Sequence, residues 1–294
     1  MDHLRLTIPF ESPMLTTTNH DRYRVGLTHV YPVLSRRSGG LSIGVNLNPN
    51  NACNWRCIYC QVPNLQRGAA PEIDLALLER ELQGFLDDVL RGDFFASFQV
   101  PEELRTVRDI AISGNGEPTS SEQFPEVVDL IGRVVAKAGL AAGGKLVLIS
   151  NGSLVHKATV QEGLRRWGKL GGKMWFKVDS ATDAGLERIN NAGISAAKLR
   201  ENLETAAGLC KVWLQTCMFS LDDEPPTFGE CQAYVKLLTD LLDKKVPIQG
   251  VQLYGLARES QQPEAPLLSA LPSEWLERLA ADIRRLGLTV NVAE

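Results

Sequence analysis

From Leu41 onward the chain alternates short apolar runs rich in β-branched residues with longer segments whose apolar residues recur at helical spacing. Six strands are predicted, at 41–47, 109–113, 145–150, 174–178, 212–219 and 250–254. Between them Leu75, Leu78, Leu82 and Val89 share one helical face, as do Phe124, Val127, Ile131 and Val135, and then Val160, Leu164 and Trp167. Further helices are expected at 183–191, 195–209 and 230–244. Strands that alternate with helices in this way predict an α/β fold, a parallel sheet with crossover helices. After the sixth strand, Leu276, Leu279, Ile283 and Leu286 form another stripe, which stops at Gly287 before the apolar run 288–292. This reads as a closing helix and an edge strand.

In parallel α/β sheets ligands bind beyond the carboxyl ends of the strands, so chemistry is sought in the residues that follow each one. The first strand leads into Cys53-Asn54-Trp55-Arg56-Cys57-Ile58-Tyr59-Cys60. This C-x3-C-x2-C run gathers three soft thiolates in one short loop, and a cubane cluster held by three of them keeps one iron open for a ligand. Zinc is the competing reading of such a loop. A structural zinc site wants four closed ligands, and the histidines, at 3, 20, 29 and 156, all lie outside the loop.

The second strand runs into Gly114-Asn115-Gly116-Glu117-Pro118, a turn whose glycines let backbone approach a ligand closely. The third ends at Ser150-Asn151-Gly152 and the fourth at Lys177-Val178-Asp179-Ser180. Asn, Asp and Ser at such places also cap helices and form turns. Lys177 alternates with apolar strand residues, and a charge pointing into a barrel needs a partner. Gln215 and Thr216 on the fifth strand and Tyr254 on the sixth are candidates either for ligand contact or for strand packing.

Composition narrows the setting. Six cysteines in 294 residues, unevenly spaced, do not make a disulfide framework, and a labile cluster implies a reducing compartment, so the cytoplasm is expected. The opening MDHLRLTIPFESPM is charged and broken by Pro9 and Pro13, unlike a signal peptide, and no later stretch approaches a membrane span. With 44% hydrophobic residues the chain can bury a sizeable core, and its net charge of -4 offers no overall attraction for nucleic acid.

The cysteine spacing, with an aromatic residue just before the last cysteine, resembles the signature of the radical S-adenosylmethionine (SAM) superfamily. That resemblance implies a partial (β/α)6 barrel and a 4Fe-4S cluster on Cys53, Cys57 and Cys60. It also implies that a reductant such as flavodoxin or ferredoxin supplies one electron, and that a 5′-deoxyadenosyl radical abstracts hydrogen from the substrate. By the same resemblance Tyr59 lies against the adenine and the turn from Gly114 through Asn115 and Gly116 to Glu117 meets the methionine amino group. Asn151, Lys177, Asp179 and Ser180 then reach the ribose or the methionine carboxylate, Asp179 being the leading ribose candidate, with Gln215 and Tyr254 facing the cofactor. More closely, the segments 113–119, 150–153, 177–179 and 252–254 resemble the bacterial branch of the wyosine-synthase-like (tRNA imidazoguanosine synthetase-like) radical enzymes, which implies a transfer RNA (tRNA) substrate. Members of that group carry a second cluster on upstream cysteines, whereas no cysteine here precedes Cys53.

On this reading residues 1–38 are an N-terminal extension, 39–256 the core, and 257–294 a lid loop, helix and edge strand. Arg22, Tyr23, Arg24, Tyr31, Arg36 and Arg37 suit phosphate and base contacts or simply a solvated cap. The acidic run Asp222-Asp223-Glu224 repels phosphate and favours the alternative of a small-molecule or peptide substrate. Residues 258–263 read as a lid over the substrate. The basic-aromatic run from Arg165 to Trp175 reads as a helix end on the face opposite the cofactor. Cys210, Cys217 and Cys231 read as small hydrophobes rather than ligands of an auxiliary cluster. A non-catalytic iron–sulfur sensor or electron carrier is the alternative from another class.

Overall fold

The computed structural model describes residues 14–16, 25–35, 39–140 and 145–293. Arg22, Tyr23, Arg24, Arg36 and Arg37 lie outside the described residues. The framework is one eight-stranded sheet whose strands neighbour each other in chain order. These are β1 (Val30–Ser35), β2 (Gly40–Val45), β3 (Val107–Ile112), β4 (Leu146–Ser150), β5 (Lys173–Lys177), β6 (Lys211–Cys217), β7 (Ile248–Tyr254) and β8 (Val290–Ala293). Strands β2 to β8 are all parallel, and β1 pairs antiparallel with β2 in the register Val30↔Val45 to Ser35↔Gly40. The sheet curls into a half-barrel with helices on its outer face, an α/β architecture of six β/α units extended at both edges.

The six interior strands coincide with the apolar runs because a parallel strand covered on both faces has few polar positions. Strand β1 was not anticipated. Its sequence Val-Tyr-Pro-Val-Leu-Ser contains Pro32, which removes a ladder donor and is tolerated here because the strand lies at the sheet edge.

Seven helices of eight or more residues cover the sheet among the described residues: α1 (Leu75–Arg91), α2 (Phe124–Lys137), α3 (Ala158–Lys169), α4 (Asp183–Asn190), α5 (Ala196–Ala207), α6 (Phe228–Asp243) and α7 (Ser273–Arg285). Local chemistry marks their starts. Asp74, Thr182 and Ser195 cap α1, α4 and α5 through their side chains, and Thr227 with Glu230 forms a reciprocal capping box on α6. Each helix turns its apolar stripe to the sheet, as Leu276, Leu279, Ala280 and Ile283 do on α7. No helix among the described residues is long and apolar enough to cross a membrane.

Helices α2 and α3 approach closely at Gly163, where a Cβ would overlap the buried ring of Phe124. Alanine is normally the better helix former by about 1 kcal/mol. At this position the fixed ring decides the sign, because overpacking a filled core costs about 1–3 kcal/mol. Gly163→Ala is therefore expected to lower stability, read as an earlier midpoint in denaturant unfolding; a variant more stable than the parent would refute this packing account.

Candidate functional site

The carboxyl ends of the strands surround a cavity of about 290 Å³. Its lining brings together Cys53, Cys57 and Cys60, Tyr59, Gly114, Asn115, Gly116, Glu117, Asn151, Lys177, Gln215 and Tyr254. These residues come from positions as far apart in the chain as 53 and 254, and strand order alone makes them neighbours. Asp179 and Ser180 differ from expectation. They line a separate cavity of about 80 Å³ behind the first, shared with Arg188, Glu230 and Cys231.

The loop after β2 and the turn after β3 lie against each other, and this contact is why the turn needs glycine. A Cβ on Gly114, which has φ +145°, would strike the Asn46 side chain, and one on Gly116 would overlap the Ala52 carbonyl oxygen. The Asn46 Oδ1 accepts from the Asn48 and Asn115 backbone N–H groups, each at 3.0 Å. Asn115 Nδ2 donates to Asn51 Oδ1 at 2.6 Å. The glycines are thus already required by protein packing.

Glu117 is buried and joins the ends of β3 and β4. Its carboxylate accepts from Thr119 N at 3.0 Å, Thr119 Oγ1 at 2.6 Å, and Ser150 Oγ and Asn151 N, both at 2.7 Å. Burial raises its pKa, opposed by these same hydrogen bonds. Asn151 Nδ2 donates onward to Asn54 Oδ1 at 2.9 Å, which attaches the cysteine loop to β4.

The cysteine loop is held from two further sides. From α4, Ile189 O accepts from Ile58 N at 2.8 Å and Asn190 O from Arg56 N at 3.1 Å, while Asn191 Nδ2 donates to Arg56 O at 2.9 Å. From the segment after β7, Ser260 Oγ donates to Ile58 O at 2.7 Å, and Gln261 N donates to Cys60 O at 2.8 Å. Gln262 Nε2 donates to Val62 O at 3.1 Å. Arg56 forms a two-pronged pair with Glu264, at 2.8 and 2.6 Å. Residues 258–263 were expected as a lid over substrate; in this structure 260–262, with Glu264, are a clamp on the cysteine loop. The reason is that Ser260 and Gln262 find their hydrogen-bond partners in the loop's own carbonyls.

Lys177 and Asp179 form the charged centre of the site. Asp179 is 3% exposed and accepts from the Tyr59 hydroxyl, from Asn190 Nδ2 at 2.8 Å and from Cys217 N at 3.0 Å. The ammonium of Lys177 lies 4.0 Å from this carboxylate, 3.5 Å from the Tyr254 hydroxyl and 4.8 Å from the centre of the Tyr59 ring. Burial works against the lysine's charge, but Asp179 and the anionic forms of its neighbours outweigh it and hold the ammonium well above the usual lysine range. Lys177 thus lines the main cavity beside a buried carboxylate.

All three loop cysteines are free thiols. Burial pushes Cys53 up to about 12 and Cys57 up to about 11. Cys210 and Cys217 are buried and Cys231 half-buried, none of them in a disulfide among the described residues. Among the described residues no group of three or more His, Cys, Asp or Glu side chains is arranged around a single ion.

Several residues stand at the site in places not anticipated for them. Trp175 lines the main cavity, although its run was expected on the opposite face: only the helix part, Arg166 paired with Glu162 and Asp129, belongs there. Tyr31 on β1 passes over Gly44, whose missing side chain leaves room for the ring, and its hydroxyl meets Ser113 Oγ at 2.9 Å. Asn190 carried one readable signal. An Asn-Asn pair closing a predicted helix suggests a left-handed cap, and Asn191 has φ 47°. The acidic residues Asp222 and Asp223, at φ 54° and 61°, form the tight turn between Leu221 and Glu224.

No family model matches the chain. A UPF0026 protein of Helicobacter pylori (strain J99) is 32% identical over 140 residues, covering 46% of this chain and 38% of that protein. The chain thus spans well under half of that relative. Among solved structures, TYW1 with a lysine–pyruvate adduct bound superposes with a TM-score of 0.56 at 14% identity, over 92% of this chain and 79% of that one. A radical SAM methyltransferase from Sphaerobacter thermophilus gives 0.55 at 14% identity, over 86% of this chain and 66% of that one. The chain has the partial-barrel fold of these structures.

The clamp is open to test. A half-buried ion pair still open to solvent contributes about 1 kcal/mol, and one buried hydrogen bond about 1 kcal/mol. Ser260→Ala combined with Glu264→Gln is therefore expected to lower global stability by about 2 kcal/mol or less while speeding amide exchange selectively in residues 56–62. Uniform exchange rates in that segment, with or without the two substitutions, would dismiss the clamp.

Proposed function

We propose that this chain is a radical SAM enzyme in which Cys53, Cys57 and Cys60 hold a 4Fe-4S cluster and the strand ends bind SAM. The observation behind this reading is that three free thiols of one loop line the same cavity as residues 114–117, Asn151, Lys177, Gln215 and Tyr254.

The residues fit the group. A buried thiolate needs nearby cations, which the irons provide, and a cubane takes one thiolate per iron rather than a set converging on one ion. When bound, such a cluster would supply one electron to SAM, the chemistry that would generate a radical able to abstract hydrogen from a substrate. The chain's own part is to bind, orient and exclude water. The Lys177 cation suits the methionine carboxylate. Gln215 is 2% exposed, and its Oε1 has no partner among the described residues, so it suits a ligand donor. The Tyr59 ring, fixed by its hydroxyl on Asp179, offers a flat apolar face to the adenine. Asp179 supports this arrangement from behind.

For the substrate we propose a tRNA base, supported by the resemblance of the motif set, with a flavodoxin- or ferredoxin-type reductant in the cytoplasm. A small-molecule or peptide substrate is favoured by a different observation. Away from the cysteines the cavity wall is polar, with Ser42 donating to Asp109 beside the Tyr31–Ser113 pair.

Anaerobic reconstitution followed by dithionite is expected to yield 5′-deoxyadenosine and methionine, and alanine at any of the three cysteines to abolish both product and cluster absorbance. A full cluster that neither binds nor cleaves SAM would instead establish the non-catalytic iron–sulfur alternative. For RNA, binding of bulk tRNA is expected to weaken steeply with salt, because phosphate contacts release counterions. Salt-independent or absent binding, with unchanged tRNA nucleosides in a deletion strain, would move the substrate to the small-molecule or peptide class.

A further inference from the structure

We propose that Asn190 is a positioning residue for the Cys57 ligand and sets the reduction potential of the cluster through an N–H···S hydrogen bond. The inference rests on the cluster reading above and concerns one side chain that neither the motif nor the strand ends point to.

Asn190 is the last residue of α4 and is 0% exposed. Its Nδ2 lies 3.2 Å from Cys57 Sγ and 2.8 Å from Asp179 Oδ2, so the amide's two hydrogens are divided between a thiol and a carboxylate. Its Oδ1 is buried with no hydrogen-bond partner among the described residues. Turning the amide over would place that oxygen against two acceptors, so the anionic neighbours dictate the orientation and the unpartnered oxygen is its consequence. The backbone reinforces the arrangement. The carbonyls of Ile189 and Asn190 accept from Ile58 and Arg56, the residues on either side of Cys57, so helix end and thiol move as a unit. Cys53 is treated differently, since its sulfur receives a backbone N–H, that of Trp55, at 3.4 Å.

An N–H dipole aimed at a ligand sulfur stabilises the reduced cluster more than the oxidised one, because reduction adds one negative charge to the iron–sulfur unit. The Asn190 bond therefore moves the potential in the positive direction, toward the reach of the external one-electron reductant. It also offsets part of the repulsion that the nearby Asp179 carboxylate exerts on the added electron.

The test is a dithionite titration of the reconstituted protein followed by electron paramagnetic resonance, with iron and sulfide measured on each sample. Asn190→Leu, close in shape and without a donor, is expected to shift the midpoint negative. Asn190→Ser, which keeps a hydroxyl donor, is expected to shift it less. Asn190→Leu with a full cluster and the wild-type midpoint overturns the proposal. If Asn190→Leu does not accumulate as folded protein, Asn190→Asp decides: an acceptor in place of the donor is expected to give a negative shift or loss of iron, and a wild-type midpoint overturns the proposal. A wild-type chain that takes up no cluster removes the functional reading and this inference with it. Unchanged midpoints in loaded variants remove this inference alone.

Discussion

Asp179 is a carboxylate with almost no access to water, placed where four pieces of the fold meet. Removing such an anion from water is expensive unless hydrogen bonds and a counter-charge replace the lost hydration. Here the replacements are the Tyr59 hydroxyl from the cysteine loop, the Asn190 amide from the end of α4, the Cys217 N–H from the end of β6 and the ammonium of Lys177 on β5. Each donor is held in place by the need to satisfy the same carboxylate. The orientation of the Tyr59 ring, the charge of Lys177 and the contact between Asn190 and Cys57 all follow from it. Removing one donor leaves a buried charge short of partners, which links these elements more tightly than their separate packing would.

The second constraint is the close approach of backbones. Gly114 and Gly116 allow the turn after β3 to lie on the loop after β2, and Glu117 then bonds that turn to the end of β4. Together with the clamp from residues 260–264, this surrounds the cysteine loop with fixed neighbours on several sides. A loop of eight residues with three cysteines has little structure of its own, and the carbonyls of Arg56, Ile58 and Cys60 are answered by residues distant in sequence, Asn191, Ser260 and Gln261. Pre-organisation of this kind holds the three thiols in place before any ligand arrives.

The half-barrel also separates two environments within one cavity. On the side of β5 to β7 stand Lys177, Gln215 and Tyr254, and on the side of β1 to β3 stand Tyr31, Ser42, Asp109 and Ser113. Ala111, Ile149 and Trp175 lie between them. This division leaves two polar walls with apolar residues between them, so that one cavity offers two distinct sets of hydrogen-bonding groups.

The six interior strands, their helices and the terminal helix–strand pair could be read from the sequence, because buried parallel strands and amphipathic helices write their period directly into the order of apolar residues. The three thiols and the polar residues at strand ends could be read for the same reason: strand order makes the carboxyl ends converge. What only the tertiary structure decided was direction and partnership. Asp179 and Lys177 are two residues apart, yet Lys177 faces the main cavity while the donors of Tyr59, Asn190 and Cys217 hold the Asp179 carboxylate behind it. Residues 260–264 are polar, as a lid would be, yet they serve as a clamp because the loop they meet offers carbonyls. Strand β1 was hidden because a proline-containing edge strand lacks the pattern of a buried one. A sequence records which residues prefer burial; which buried group satisfies which depends on contacts more than a hundred residues apart, and these exist only after folding.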